Sequence, residues 1–475
     1  MLEELLERLK RGGEQTLYHV GEESLTYAAC GERVQRLAQV LRAQGSGPVI
    51  VYGHKSVMQF VSILACVVAR RCYIPVDPHT PQARICEIAS QADARLALVN
   101  EPLHLPTVKC LSPEKLEAEY SYPCMETETV TTNEMAYIIF TSGSTGKSKG
   151  VPISYENLDH FISWITQVEA LLPFHGARVL SVSRFSFDLS VMDIYFSIFT
   201  QSTIITAPYE VRENLLDFFE TMRRSAVEFV ILTPTLAKLL LLEERFTADH
   251  FPSLRGFFFC GECLEVATAR KLHARFPQAA IINAYGPTEC TCCVTLVEIT
   301  EDMLQGTSLP VGRSAGAAVE VLLEDEEIVL RGDSVFSGYL GLCSENAYRE
   351  QGGAVFRTRD LGKLEEGLLY CRGRKDHQIK YQGYRIELGD IENNLLKIDG
   401  IVAAVACAKR KAGSEVVKMI RAYVVTENET LTEEAIKRAL SQKLPAYMIP
   451  KSIVFLDEIP INANGKYDRR KLEER

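Results

Sequence analysis

Residues 137–150 read YIIFTSGSTGKSKG, an apolar run that ends in a loop of glycines, hydroxyls and lysines. Tyr137–Phe140 suits a short buried strand, and Ser142, Ser144, Thr145 and Ser148 follow it among three glycines and two lysines. Glycines let a backbone turn its N–H groups toward an anion, hydroxyls add donors, and lysines neutralise phosphate charge. The loop nearly spells a Walker motif, but Thr141 stands where that motif needs its first Gly, which disfavours a P-loop NTPase. A flexible Ser/Gly surface turn is the plain alternative, and the strand leading into the loop disfavours it.

Working outward, further apolar runs occur at Val49–Tyr52, Leu96–Val99, Val179–Val182, Thr203–Thr206, Phe229–Leu232, Gly256–Cys260 and Ala280–Asn283. Amphipathic stretches such as Leu25–Ala43 and Asn214–Ser225 lie between most of them. Strand alternating with helix over some 300 residues predicts an α/β fold with largely parallel, buried sheets. From about Pro310 to Arg374 the helices give way to short strands with Gly turns, which predicts a small antiparallel or barrel-like piece.

The chain has 475 residues, 47% hydrophobic and 24% charged, which is ordinary globular composition and allows two to four structural units. A net charge of −10 gives no general affinity for nucleic acid or anionic lipid. The longest apolar stretch, Phe60–Ala69, is about half what a bilayer span requires. The opening MLEELLERLKRGG reads as a charged amphipathic helix without a signal core, and the 14 cysteines are too sparse for a disulfide scaffold, so a cytosolic protein with reduced thiols is expected. Residues 377–475 carry 17 Lys+Arg against 14 Asp+Glu, a balance of +3 that leaves −13 on residues 1–376. That sign change suits a separate small α+β domain or ordinary fluctuation of surface charge.

The loop does not stand alone. FSFDLSVMDIY (185–195), FCGE (259–262), NAYGPTE (283–289), LRGDSVFSGYL (330–340), RTRDLG (357–362), GRKDHQIKYQGYRIELGDIE (373–392), LPAYMIP (444–450) and NANGK (462–466) follow in order. This series resembles the adenylate-forming superfamily of amino-acid adenylation domains, acyl- and aryl-CoA ligases and luciferases, over essentially the whole chain. Within it, FSFDLSVMDIY and FFFCGE look most like the stand-alone D-alanine–carrier protein ligases. The resemblance implies a large N-terminal domain, 1–375, of two layered α/β subdomains with a small β-barrel-like subdomain. A small mobile α+β lid, 376–475, follows it and swings about a hinge at Asp376. It also implies the reaction: a carboxylate attacks the α-phosphorus of ATP, and a carrier thiol then displaces AMP.

By the same resemblance, Thr141, Ser142, Gly143, Ser144, Thr145, Gly146 and Lys149 hold the β- and γ-phosphates, and Thr288 contacts the α-phosphate. Glu289 binds Mg²⁺, a hard cation that prefers oxygen ligands. Gly261, Glu262, Asn283, Ala284, Tyr285 and Gly286 form the adenine slot, where Tyr285 can stack and Asn283 can bond the exocyclic amine. Asp360 can accept both ribose hydroxyls, and Arg374 adds a ribose or phosphate contact. Lys466, otherwise an ordinary solvated lysine, is the family's catalytic lysine bridging carboxylate and adenylate oxygens. Gly383 lets a pantetheine arm pass, although a plain hairpin glycine reads the same.

Substrate class is carried by Asp188, an acid inside an apolar segment, which resembles the family's partner for a substrate α-ammonium. A helix N-cap before Leu189 is the competing reading. Leu189, Met192, Ile231, Phe258, Cys260, Ala284, Cys292 and Cys293 line the acyl pocket by resemblance and favour a small apolar amino acid such as D-alanine. Two departures stand out: Cys292 and Cys293 replace an expected Val and Ala, and the stretch 311–327 is short. The grouping of Cys260, Cys263, Cys290, Cys292 and Cys293 also admits a structural zinc. Only nine residues follow Lys466, so the expected partner is a separate, acidic phosphopantetheinyl carrier protein, with the enzyme a monomer. Other readings are a free-standing peptide-assembly adenylation enzyme for another small amino acid, an acyl-CoA ligase, and a non-catalytic nucleotide-binding relative.

Overall fold

The computed structural model describes all residues except 120–134, 144–147, 209–213, 315–318, 343, 351–352, 411–415, 429, 462–466 and 475. A hairpin of β1 (Thr16–Val20) and β2 (Glu23–Thr26) follows the first helix, Leu2–Gly12. Then β3 (Val49–Tyr52), β4 (Tyr73–Val76), β5 (Leu96–Val99), β6 (Lys109–Leu111), β7 (Met135–Thr141) and β8 (Lys149–Ser154) form a six-stranded sheet in the order β6-β5-β3-β4-β7-β8. The pairs β3/β4, β3/β5, β4/β7 and β5/β6 are parallel.

A nine-stranded sheet takes β9 (Arg178–Ser181), β10 (Thr203–Thr206), β11 (Phe229–Leu232), β12 (Gly256–Phe259), β13 (Ala280–Tyr285), β14 (Thr295–Glu298) and β15 (Arg313–Ser314). With β1 and β2, its order is β15-β14-β13-β12-β11-β9-β10-β1-β2. It is parallel from β1 to β13 and antiparallel at both edges. The four residues of β11 and of β12 are all buried, as runs without alternation require when both faces are covered. The helix-poor stretch becomes a five-stranded sheet of β16 (Val319–Glu324), β17 (Glu327–Gly332), β18 (Ala347–Glu350), β19 (Gly353–Glu365) and β20 (Leu368–Arg374). After it come a two-stranded ribbon, β21 (Gln378–Tyr381) with β22 (Tyr384–Glu387), and a three-stranded sheet of β23 (Ile401–Arg410), β24 (Val417–Thr426) and β25 (Ser452–Phe455).

Most expected runs lie within a residue or two of these strands. One boundary differs: the helix expected from Leu25 runs Tyr27–Ala43, because Leu25 pairs with Tyr18 in the first hairpin and Thr26 Oγ1 caps the helix by accepting from Ala29 N at 3.2 Å. Ser56 caps Val57–Val68 in the same way, and every residue of that helix is buried, which accounts for the long apolar run. Among the described residues no helix is long and apolar enough to cross a membrane.

Two compact units result, one of Met1–Pro78, Ala89–Ile139 and Val151–Arg372, the other of His79–Ile88, Phe140–Gly150 and Gly373–Arg475. In the first, the nine-stranded sheet separates two apolar clusters: Ile231, Phe258 and Ile282 face one, and Val230, Phe257 and Ile281 face the other. Phe246 centres the second cluster, its ring 4.8 Å from Phe276, 5.3 Å from Phe251 and 5.5 Å from Phe219. Phe246→Ala is expected to cost about 3–5 kcal/mol, read as a lower urea midpoint for the larger unit's transition.

Candidate active site

The parallel strands β9, β11, β12 and β13 end at one edge of their sheet, where α/β proteins place ligands. The loop after β9 leads to Asp188 and a short helical run, Leu189–Val191, that widens into a π-turn at Met192–Phe196. Register sets Ile231 beside Phe258, and Phe258 beside Ile282, with Ala284 two residues further on. Leu189, Met192, Ile231, Phe258, Cys260, Ala284, Cys292 and Cys293, the residues expected in the acyl pocket, are all buried in the same extensive apolar core.

Asp188 stands half-buried before Leu189 with helical backbone (φ −62°, ψ −28°), and its side chain makes no capping bond. Its Oδ2 instead accepts from Thr288 Oγ1 at 2.5 Å, so the N-cap reading does not describe this carboxylate. Its charge reaches the pocket thiols. Cys292 is pushed well up by its hydrogen bond to Cys293 and by burial, with Cys293, Asp188 and Asp193 adding to the rise. The bond to Cys292 pulls Cys293 down, but burial, Cys260 and Asp188 raise it overall. Tyr137 was not anticipated here. It is fully buried, its hydroxyl has no hydrogen-bond partner among the described residues, and burial, Cys292 and Asp188 raise its pKa. Only a polar tip inside an apolar strand signals it in the sequence. Among the described residues no three His, Cys, Asp or Glu side chains gather as metal ligands, which removes the zinc reading of the cysteines.

On the adenine side, Asn283 is buried, its Nδ2 donates to Pro310 O at 2.7 Å, and its Oδ1 has no partner among the described residues. Tyr285 donates to Asp360 Oδ2 at 2.7 Å, and burial together with that carboxylate raises the phenol well above its usual range. Glu262 accepts from Thr235 N at 2.9 Å, at the start of helix Pro234–Leu240, and Gly261 beside it has φ +91°. A Cβ at Gly286 would overlap the Cys293 backbone and lie 2.8 Å from the Cys292 carbonyl oxygen, so only glycine fits where this loop folds back. Glu289 is fully buried, and its Oε1 accepts from Tyr339 OH at 2.6 Å, a partner whose motif was noted but whose role was not. One acidic side chain suits Mg²⁺, which takes one or two carboxylates and completes its shell with phosphate oxygens and water.

In the second unit, Ser142 Oγ donates to Arg385 O at 3.0 Å and accepts from Glu387 N at 2.9 Å, while Lys149 Nζ lies 3.9 Å from Glu387 Oε1. Thr141 ends β7, and Gly143 follows Ser142. Gln382 (φ +55°) and Gly383 (φ +82°) form the tight turn of the β21–β22 ribbon, so hairpin geometry already requires this glycine. Arg374 is bidentate to Asp376, at 2.7 and 2.9 Å. Burial alone would raise the Asp376 carboxyl, but Arg374 and the Gln378 N–H hold it below the usual carboxylate range. A pair the sequence did not suggest joins Arg84 to the fully buried Asp390 at 3.4 Å. Ser144, Thr145, Gly146 and Lys466 lie outside the described residues.

These features define a nucleotide-binding α/β enzyme. Residues 5–340 match the family described as AMP-binding enzyme and residues 390–466 its C-terminal domain, so the chain belongs to the AMP-binding enzyme family. It is 37% identical to the D-alanine–D-alanyl carrier protein ligase of Bacillus licheniformis, over 99% of each chain. It is 38% identical to that of Listeria monocytogenes, over 90% of this chain and 88% of the relative. The adenylation domain AlmE of Vibrio cholerae, in complex with glycyl-adenosine-5'-phosphate, superposes with a TM-score of 0.85 at 23% identity, over 99% and 96% of the two chains. The o-succinylbenzoate CoA synthetase of Bacillus subtilis gives 0.85 at 19% identity, over 99% and 98%. Both share the adenylate-forming fold.

Burial and raised pKa values make the pocket thiols poor nucleophiles. Alkylation of the native protein at pH 8 is expected to modify the exposed Cys86 and Cys263 ahead of Cys260, Cys292 and Cys293. Peptide mapping by mass spectrometry checks the order, and early labelling of Cys292 would contradict the buried pocket.

Proposed function

We propose that the protein activates a small amino acid, D-alanine foremost, as its adenylate and transfers the acyl group to the phosphopantetheine thiol of a carrier protein. Pyrophosphate and AMP are the other products. The observation that supports the reading is the Asp188–Thr288 hydrogen bond beside a buried apolar core, which suits a carboxylate that meets the ammonium next to a hydroxyl that meets the phosphate. The names of the full-length relatives support the substrate and the carrier. A carboxylate at Asp188 has no purpose for a fatty acid, which disfavours an acyl-CoA ligase.

The chemistry needs no enzyme nucleophile, because the two reactants supply both the attacking and the leaving atoms. Rate comes from holding two anions together and stabilising charge at phosphorus. Asp188 binds the α-ammonium and aims the substrate carboxylate toward the α-phosphate, which Thr288 contacts. Asn283 Oδ1 accepts from the adenine amine, which would give that buried oxygen its partner, and Tyr285 stacks on the purine between Gly261, Glu262, Ala284 and Gly286. Asp360, oriented by Tyr285, accepts from the ribose, and Arg374 adds a ribose or phosphate contact. Thr141–Gly146 and Lys149 cradle the β- and γ-phosphates. Glu289 would hold Mg²⁺, which neutralises phosphate charge when bound. Lys466 bridges the reacting oxygens.

The lid of residues 376–475 turns about Asp376, and Gly383 leaves room for the pantetheine arm. An acidic carrier would meet the +3 balance of residues 377–475. We place this enzyme in the cytosol as a monomer; the described cysteines are all free thiols.

ATP–pyrophosphate exchange across D- and L-amino acids tests the reading. D-alanine is expected to give the highest rate, and activity with fatty acids alone, or with no amino acid, overturns it. Lys466→Ala is expected to lower that exchange by roughly 10²–10³, the scale of losing one preorganised electrostatic donor, whereas an unchanged rate removes Lys466 from the chemistry.

A further inference from the structure

Lys55 is 1% exposed, at a position where the sequence GHKS suggests a solvated turn. Its backbone has φ +41°, in the left-handed region, and is fixed from both sides. The N–H donates to Gln59 Oε1 at 2.6 Å, the carbonyl accepts from Tyr18 OH at 2.9 Å, and Gln59 Nε2 donates to Gly53 O at 2.7 Å. A non-glycine residue keeps such a conformation only where its surroundings impose it, which is common at functional sites. The ammonium enters the segment that carries Asp188. It donates to Ser181 O at 3.0 Å and to Ser181 Oγ, lies 3.8 Å from Asp193 Oδ2, and sits 5.1 Å from the centroid of the Phe185 ring. Ser181 Oγ donates onward to Asp193 Oδ2.

Asp193 is fully buried in the π-turn that begins at Met192, and π-turns recur at functional sites. The preceding residue, His54, meets Asp77 Oδ2 at 3.2 Å, and Asp77 Oδ1 pairs with Arg184 at 3.1 Å. Consecutive residues after β3 thus hold both ends of one segment, His54 through Asp77 at Arg184 and Lys55 at Asp193. Between those ends lie Asp188, Leu189 and Met192. Asp188 and Asp193 lie five residues apart on this segment, and the charges of both act on the Cys292 thiol.

We propose that Lys55 is a positioning residue for the amino-acid site. It fixes the 181–193 segment so that Asp188 meets the substrate ammonium, and it cancels the charge of Asp193 so that this second carboxylate does not compete for the same cation. The inference rests on the ammonium-binding role of Asp188 given above. A buried carboxylate that loses its cation is left uncompensated, whereas removing both charges relieves that penalty.

The test compares Lys55→Met, Lys55→Arg, Asp193→Asn and the double variant Lys55→Met/Asp193→Asn in ATP–pyrophosphate exchange with D-alanine, alongside thermal midpoints. Lys55→Met is expected to raise the D-alanine KM at least about tenfold while the ATP KM stays within about twofold, and the double variant to recover at least about threefold of that rise, as coupled neighbours do. Lys55→Arg is expected to fall between the parent and Lys55→Met. An unchanged D-alanine KM with a lower thermal midpoint, or D-alanine and ATP KM rising together, overturns the proposal. Should Lys55→Met not fold, an unchanged D-alanine KM in both Lys55→Arg and Asp193→Asn overturns it equally. A parent enzyme that exchanges with no amino acid refutes the Asp188 reading instead, so the two failures are told apart.

Discussion

A parallel sheet gathers the carboxyl ends of its strands at one edge, and the larger unit depends on that constraint. β9, β11, β12 and β13 each deliver a loop there, and these loops carry Asp188, Cys260 to Glu262, and Tyr285 to Cys293. The Thr288–Asp188 hydrogen bond joins the loop after β9 to the loop after β13. Alternation along β11 and β12 turns Ile231 and Phe258, both expected in the acyl pocket, to the same face. One hydroxyl–carboxylate contact therefore ties together two loops that lie far apart in sequence.

Five carboxylates of this unit differ in the donors that meet them. Thr288, Tyr285 and Tyr339 donate hydroxyls to Asp188, Asp360 and Glu289, and a hydroxyl orients a carboxylate without contributing a charge of its own. Lys55 and Arg184 bring full positive charges to Asp193 and Asp77. The first group lies in motifs expected to bind ammonium, ribose and metal, for which a carboxylate must keep its charge. The second holds backbone segments in place, where charge neutrality suits burial. This division can be read only from the folded chain, since both groups are simply Asp and Glu in sequence.

Local signals were legible where chemistry is local. β3, β5, β10 and β11 coincide with apolar runs, and motif order singles out Asp188, Glu289 and Asp360 by resemblance. Tyr137, Tyr339, Arg84 and Lys55 were not legible, because each gains its meaning from a residue distant in sequence: Asp188 and Cys292, Glu289, Asp390, and Asp193. A tyrosine inside YIIF reads as core, and a lysine in GHKS reads as solvated. Leu25 misled for a related reason: its apolar side chain fits the helical period that follows, but hairpin pairing claims it first.

Of the twelve non-glycine residues with positive φ among the described residues, four lie close to these carboxylates, while others such as Arg70, Asp93 and Gln201 lie in plain turns. Arg359 (φ +62°) directly precedes Asp360, Thr291 (φ +56°) and Cys292 (φ +79°) closely follow Glu289, and Lys55 (φ +41°) meets Asp193. Each such conformation costs on the order of 1–3 kcal/mol and persists because neighbours over-determine it. Arg359 N donates to Glu327 Oε1 at 3.0 Å, Thr291 Oγ1 to Ser334 O at 3.0 Å, and Lys55 N to Gln59 Oε1 at 2.6 Å. A reaction without an enzyme nucleophile relies on groups already in place when charge develops, since reorganising them during the step would add to the barrier. On the reading proposed above, the left-handed residues beside Asp360, Glu289 and Asp193 would help hold those groups in place beforehand, since their neighbours fix them.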